Sequence, residues 1–136
     1  MKKLWGLSLV VGTMLLVGCT SLTRQEKIQL QHLKAQGITV DKPLGNYEKP
    51  ASVAGAAALN LLPGVGNFYL GSGQAAESDH WLYGFLNLLT WPVSIVWGIP
   101  EAAIDANAIN KREMLYYYQY DKMGKEELRR AGITLE

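Results

Sequence analysis

Residues 50–100 form a stretch with no lysine or arginine and with two acidic residues, Glu77 and Asp79. The other charged side chains lie in the segments on either side, so the chain has a polar–apolar–polar layout. An apolar stretch of this length needs a core, a membrane or a partner, because leaving apolar area in water costs free energy in proportion to that area. The burial of this stretch is therefore the main constraint on the fold.

The apolar stretch divides into two helix-forming blocks, which together predict a helical hairpin over residues 50–100. Residues 51–62 are rich in alanine, which favours helix. Residues 81–99 are 19 uncharged positions, nearly the length that crosses a bilayer. The glycine-rich residues 63–73 between the blocks are typical of a turn. The turn positions predicted are Gly64, Gly66, Phe68, Tyr69 and Gly71.

The hairpin has two candidate locations, a membrane and the core of a water-soluble domain. The tryptophans at positions 81, 91 and 97 favour the membrane, since tryptophan is enriched where lipid headgroups meet water. The small size of the remaining chain also favours the membrane, because little else is present to cover the apolar stretch. The core of a water-soluble domain remains the alternative location, since aromatic residues at helical spacing usually pack inside proteins.

The first residues have the layout of a secretory signal. Lys2 and Lys3 precede an apolar run, and the run ends in the tetrapeptide Leu16-Val17-Gly18-Cys19, which holds the single cysteine of the chain. This tetrapeptide resembles the lipobox of bacterial lipoproteins. The resemblance implies that residues 1–18 are a lipoprotein signal peptide and that Cys19 receives diacylglycerol and further acyl chains. The alternatives are an ordinary signal peptide and a membrane span, although about 15 apolar residues extend only about 22 Å as a helix.

The residue after Cys19 bears on the destination of a lipoprotein. In the family, an aspartate at this position retains the protein in the inner membrane, and Thr20 is not aspartate. The resemblance therefore implies lipid anchoring at the periplasmic side of the cell outer membrane, with the inner membrane as the alternative. Export past the inner membrane requires limited hydrophobicity. Five residues lower the hydrophobicity of the two blocks: Asn60, Pro63, Asn67, Pro92 and Asn87.

The N-terminal flank, residues 19–49, is predicted to contain one helix followed by a linker. Thr23 and Glu26 have the spacing of a capping box, in which two side chains bond the free backbone N–H groups at a helix start. Gly37 is well placed to end the helix in a left-handed conformation.

The C-terminal flank, residues 101–136, is predicted to be a long helix followed by a short one. Pro100 suits a first helical turn, where its missing N–H is not needed. Residues 102–123 contain no glycine or proline. Gly124 is predicted to interrupt the helix and Gly132 to end the next one. The whole pattern predicts an all-α fold in which an apolar helical hairpin lies between an N-terminal helix and a long C-terminal helix.

The two flanks share a short sequence pattern. Residues 33–39 and 128–134 both read as a leucine, a basic helix end, a glycine and then Ile-Thr. We interpret the pattern as two similar helix caps. A duplication, or strand-like pairing of residues 38–40 with 133–135, is the alternative.

The centre of the chain also resembles a family of domains with two transmembrane helices joined by a loop. That family has an Asp/His-Arg-Phe-Tyr-Leu-Gly motif, and residues 68–71 read Phe-Tyr-Leu-Gly. Residues 84–90 and 97–101 correspond to the Gly…Leu-Leu-Thr and Trp…acid pattern of its second helix. Asn67 stands where the family has arginine. The resemblance implies a helical hairpin in a membrane and no defined chemistry.

Candidate chemical groups are few. Glu101 and Asp105 lie four residues apart on one predicted helix face, and residues 77–80 place two acids beside His80. The acid pair is also explained by the favourable field near a helix N-terminus, and adjacent ligands on a loop point in different directions. The sequence therefore predicts no catalytic site, no metal site and no cofactor.

Charge and composition limit the partners. Once residues 1–18 are removed, 11 basic and 12 acidic side chains remain, so there is no basic field for nucleic acid. The predicted function is a non-catalytic envelope lipoprotein that acts as a structural or interaction component at the membrane. Its partner besides the membrane is a second copy or another envelope protein. The alternative is a subunit of a lipid- or solute-handling membrane assembly, with the hairpin as a groove or pore segment.

Overall fold

The structure is a computed structural model that describes residues 21–73 and 79–135. Within these ranges the chain forms six helices and no β-strand, so the predicted all-α class is confirmed. The helices are α1 Arg24–Ala35, α2 Val53–Leu59, α3 Val65–Gly71, α4 Asp79–Leu89, α5 Ile95–Tyr120 and α6 Lys122–Arg130. The long C-terminal helix is α5, and every other helix except α4 packs directly along it.

The apolar stretch folds as three short helices and the first turns of α5. Helix α2 packs against both α3 and α5, and α4 packs mainly against α3. The second predicted block is divided, because α4 ends at Leu89 and residues 90–94 turn before α5 begins at Ile95. Among the described residues, no helix combines the length and the apolar character needed to cross a membrane.

The turn predicted over residues 63–73 is much shorter in the structure. Gly64 does lie in a turn, with a left-handed φ of +81°. The other four predicted turn positions, Gly66, Phe68, Tyr69 and Gly71, lie in α3. The glycines serve close helix packing here, because a Cβ on Gly66 would collide with the backbone of α2.

The start of the long helix also differs from the prediction. Pro100 lies inside α5, five residues after its first residue, and not in a first turn. Gly98, two residues before it, packs against the C-cap of α2, where the side-chain amide of Asn60 donates a hydrogen bond to the Gly98 carbonyl. This contact joins parts of the chain that local sequence preferences do not connect.

The polar half of the molecule has its own hydrophobic core around the C-terminal half of α5. The buried residues of this core are Leu33, Ile38, Tyr47, Met114, Leu115, Tyr118 and Leu128. The Tyr118 hydroxyl donates to the Leu44 carbonyl and accepts from the Leu44 N–H, both at 2.8 Å, so it holds the linker after α1 against α5. The prediction that Gly124 interrupts a helix is wrong. It lies within α6, where the absence of a side chain lets the helix approach the Tyr117 carbonyl of α5.

The shared pattern of the flanks consists of two equivalent helix caps. After α1, Gly37 is left-handed, and the Ile38 N–H bonds the Leu33 carbonyl at 3.0 Å. After α6, Gly132 is left-handed, and the Ile133 N–H bonds the Leu128 carbonyl at 2.9 Å. These are the bonds of the Schellman motif. The alternative of strand-like pairing is wrong, since no strand joins these segments.

Gly64 and Gly37 provide a matched pair of substitutions. Both have φ +81°, but a Cβ on Gly37 meets nothing within 4 Å, whereas a Cβ on Gly64 collides with the Gly84 carbonyl. We expect Gly37→Ala to lower the free energy of unfolding by about 1 kcal/mol, from backbone strain alone. Gly64→Ala should cost about 3 kcal/mol, because overpacking adds to the same strain. Urea unfolding measures both, and equal losses would contradict the packing of α3 against α4.

Candidate functional site

The most distinctive feature of residues 53–104 is a set of exposed apolar side chains, called here the apolar surface. Its members are large hydrophobic side chains that are at least a third exposed. They are Val53, Leu59, Leu61, Leu62, Tyr69, Trp81, Leu82, Phe85, Leu88, Leu89, Trp91, Val93, Val96 and Ile104. Where many exposed apolar side chains adjoin, they usually mark contact with a membrane or another protein.

The most exposed part of the apolar surface is the connection between α4 and α5. Leu89 is 80% exposed and Val96 is 79% exposed, with Trp91 and Val93 at 61% each. These side chains make few contacts within the protein. Substitutions here therefore change the surface with little effect on the fold.

The start of α1 has a defined position beside α5. The start of α1 is tied to the middle of α5, because Arg112 pairs with Glu26 at 3.1 Å and donates to the Ser21 carbonyl at 3.4 Å. The end of α1 lies further along α5, where Leu33 packs in the core that contains Tyr118. Helix α1 thus runs in the same general direction as α5. Ser21, the first described residue, therefore lies beside Arg112, which is eight residues from Ile104 of the apolar surface.

A set of buried polar side chains, called here the polar cluster, lies beneath the apolar surface. Its members are Asn60, Asn67, His80, Asn87, Ser94 and Asp105, all at most 4% exposed, together with the half-buried Glu101. Asn60 connects three helices, since its amide donates to the Gly98 carbonyl and its oxygen accepts from the Gly66 N–H at 3.1 Å.

Asn87 is the centre of the polar cluster. Its Nδ2 donates to Asn67 Oδ1 at 3.5 Å and to Glu101 Oε2 at 3.4 Å. Its Oδ1 accepts from Trp97 Nε1 at 3.0 Å, and its carbonyl accepts from Ser94 Oγ at 2.6 Å. These bonds cross from α4 to α3 and α5, so the cluster connects helices that have apolar outer faces.

His80 and Asp105 form a second part of the polar cluster. Nδ1 of His80 lies 3.8 Å from Oδ2 of Asp105, and both side chains are almost completely buried. The distance suits an ion pair when the imidazole is protonated but is too long for a hydrogen bond. Neither ring nitrogen of His80 forms a hydrogen bond with the described residues. No group of three or more histidine, cysteine or acidic residues in the described ranges is arranged to hold a metal ion.

Burial raises the pKa of Glu101 to about 7, with a smaller contribution from the negative charge of Asp105, while the Asn87 hydrogen bond opposes the shift. The folded protein thus binds the Glu101 proton more tightly than the unfolded chain does. The free energy of unfolding should therefore fall as pH rises from about 4.5 to 7, and it should stay lower above pH 7.

Glu101→Gln tests this dependence, since it keeps an oxygen that can accept from Asn87 and removes the titration. We expect the variant to be more stable than the parent at pH 8 and to lose most of the decrease between pH 5 and 8. Urea unfolding at the two pH values measures both effects. Glu48→Gln, at an exposed position, is the control, and an equal response of the two variants would contradict the assignment to Glu101.

The structure describes some of the predicted site residues, and it brings two of the candidate acids together with partners from another helix. Cys19 and Thr20 lie outside the described residues. Glu101 and Asp105 lie on one side of α5 as predicted, but their neighbours, Asn87 and His80, come from α4. Sequence reasoning missed the role of the buried asparagines, which it interpreted only as lowering hydrophobicity. Their recurrence inside an otherwise apolar stretch was the available signal.

No protein family, curated relative or solved structure matches this chain.

Proposed function

We propose that this chain is a non-catalytic bacterial envelope lipoprotein whose acylated Cys19 and apolar surface contact the same membrane. Thr20 favours the outer membrane as the location. The protein acts there as a structural or interaction component, with its polar half facing the periplasm.

The observation that supports this proposal best is the position of Ser21, which lies beside the middle of α5. Cys19 is two residues before Ser21, a reach of about 7 Å at most. Ser21 is bound beside Arg112. Eight residues separate Arg112 from the exposed Ile104, a distance of about 12 Å along a helix. These lengths are compatible with entry of a lipid on Cys19 and of the apolar surface into one leaflet.

Lateral contact with a leaflet fits the lengths of the helices. The apolar helices α2, α3 and α4 have 7, 7 and 11 residues, whereas a span needs about 20. Apolar side chains that lie in the interface add to the affinity supplied by acyl chains, and two such signals together give stable attachment. The polar cluster assists because the hydrogen bonds of Asn60 and Asn87 hold polar side chains inside the protein, away from lipid.

A second candidate is a subunit of a lipid- or solute-handling assembly in which the apolar surface is covered by protein. The buried acids Asp105 and Glu101 favour this alternative, because ionisable groups within a membrane-facing region commonly serve transport. Crosslinking in intact envelopes separates the candidates. A discrete homo-oligomer supports the assembly, whereas a single heterologous partner, or no protein crosslink through the apolar surface, supports the membrane-contact proposal.

A lipid-free form of the protein tests the proposal. Residues 1–19 are replaced by an ordinary cleavable signal peptide, so that the mature chain begins at Thr20 and has no cysteine. We expect this form to float with lipid vesicles in a density gradient, although less completely than the acylated protein. Complete recovery in the soluble fraction as a folded monomer would overturn the proposal.

A further inference from the structure

The polar half of the molecule carries an open groove of about 480 Å³ beside the C-terminal half of α5. Its lining includes Tyr47, Tyr116, Tyr117 and Tyr120. Tyr47 and Tyr117 lie with their ring centroids 5.8 Å apart, and Tyr116 and Tyr120 with theirs 4.7 Å apart. Tyr116 and Tyr120 are 58% and 63% exposed, so their ring faces are available to a ligand. About 30 Å of α5 separates Tyr116 from Val96 at 1.5 Å per residue.

The electrostatic character of the groove is negative. Glu48, Glu113 and Asp121 line it, and no lysine or arginine does. Glu48 and Glu113 form no ion pair with a described residue, in contrast to Asp41, which pairs with Lys49 at 2.7 Å.

A further carboxylate lies behind the wall of the groove. Oε1 of Glu127 accepts from the Tyr117 hydroxyl at 3.1 Å and from the Asn46 N–H at 2.9 Å. Its Oε2 is buried and has no hydrogen-bond donor among the described residues. The groove thus combines aromatic rings with carboxylates, and two of these, Glu48 and Glu113, form no ion pair with a described residue.

We propose that this groove binds the cationic side chain of a polypeptide, with arginine preferred over lysine. A cation over the face of an aromatic ring is attracted by the negative charge of that face. A guanidinium group is planar and stacks on such rings while it donates to carboxylates in a fixed fork, which an ammonium group does not do.

The burial of Tyr47 and Tyr117 preserves the aromatic faces. Burial and the neighbouring Glu127 raise the pKa of Tyr117 to about 12, and burial likewise raises the pKa of Tyr47. Both rings therefore stay neutral across the physiological range. Their hydroxyls are also engaged inside the protein, Tyr47 with the Asn110 carbonyl and Tyr117 with Glu127, which fixes the rings in place.

NMR titration of the acylated mature protein in neutral detergent micelles tests the proposal. The probes are N-acetyl-arginine amide, N-acetyl-lysine amide and N-acetyl-citrulline amide, and the last has nearly the shape of the first without its charge. We expect saturable shifts at the amides of residues 46–48 and 116–121, strongest for the arginine probe and absent for the citrulline probe. Equal binding of arginine and citrulline, or no shift at these residues, would overturn the proposal.

Two variants and one control define the site. Glu113→Gln and Tyr116→Leu should each weaken binding of the arginine probe about two- to fivefold, by removing one charge or one aromatic face. Glu126→Gln changes the net charge equally but lies outside the groove, paired with Arg129, and should leave the affinity unchanged. An unchanged affinity in both groove variants would contradict the site. The titration measures binding at the groove and does not measure membrane contact, so failure of this proposal is distinguishable from failure of the membrane proposal.

Discussion

Replacing Leu89 and Val96 together by glutamate is expected to release the lipid-free form of the protein from vesicles. These are the two most exposed apolar side chains of the described chain, at 80% and 79%. Burying one such side chain in an apolar phase contributes about 1.5–3 kcal/mol. Even if lipid covers only half of each side chain, the vesicle partition coefficient should fall about tenfold or more. Density-gradient flotation measures the change.

The matched control is the double variant Ile28→Glu and Met123→Glu. These side chains are 55% and 54% exposed on α1 and α6, in the polar half of the molecule. The control adds the same charge and removes similar apolar volume, but it should leave flotation unchanged. Both double variants should unfold at nearly the parent urea concentration, because none of the four positions is buried. Equal release of the two variants would show that charge alone, and not the apolar surface, governs binding.

The second large effect concerns Cys19. Cys19→Ala should abolish incorporation of radiolabelled palmitate and should leave a precursor that retains residues 1–18. The reason is that the thiol is the proposed acyl acceptor and its modification precedes cleavage in the lipoprotein family that the tetrapeptide resembles. Metabolic labelling followed by gel electrophoresis measures both outcomes.

Thr20→Asp is the companion variant for location. It should keep the label and move the protein to the inner-membrane fraction of a sucrose gradient, whereas the parent bands with the outer membrane. Normal labelling of Cys19→Ala would refute the lipid anchor. Banding of both the parent and Thr20→Asp with the inner membrane would refute the proposed location only.

Local sequence signals predicted the helix ends well. Thr23 accepts from the Glu26 N–H at 3.2 Å, and the Glu26 carboxylate accepts from the Thr23 N–H at 2.6 Å, which is the predicted capping box. Gly37 and Gly132 are left-handed as their positions after two helices suggested. These features depend on residues within one or two turns of each other, so a short stretch of sequence contains the whole interaction.

Features set by distant contacts were not predictable in the same way. Local sequence preferences predict that the long helix begins at Pro100, whereas it begins at Ile95 in the structure. Its first turn contains Gly98, whose carbonyl accepts a hydrogen bond from the distant Asn60. Gly71 belongs to a helix because its missing side chain leaves room for Trp81 of α4, whereas glycine alone favours a turn. In both cases a tertiary contact outweighs an intrinsic preference of about 1 kcal/mol per glycine.

The polar cluster illustrates the same limit at the candidate site. His80 and Asp105 are 25 positions apart in the sequence, and their side chains meet only because α4 and α5 are connected by a turn at residues 90–94. The spacing of Glu101 and Asp105 was visible in the sequence, but their partners on α4 were not. The sequence predicted an apolar stretch over residues 50–100, but it did not predict that this stretch is divided into short helices.

Tryptophan fluorescence of the acylated protein in vesicles tests the central claim most directly. The tryptophans after Cys19 are Trp81, Trp91 and Trp97, all in the hairpin, and Trp81 and Trp91 are 46% and 61% exposed. If the apolar surface lies in the leaflet, lipids with brominated acyl chains will strongly quench the emission. Unquenched emission from protein that is fully bound to these vesicles would contradict the claim, because it would mean that the lipid on Cys19 holds the protein while the apolar surface stays out of the membrane.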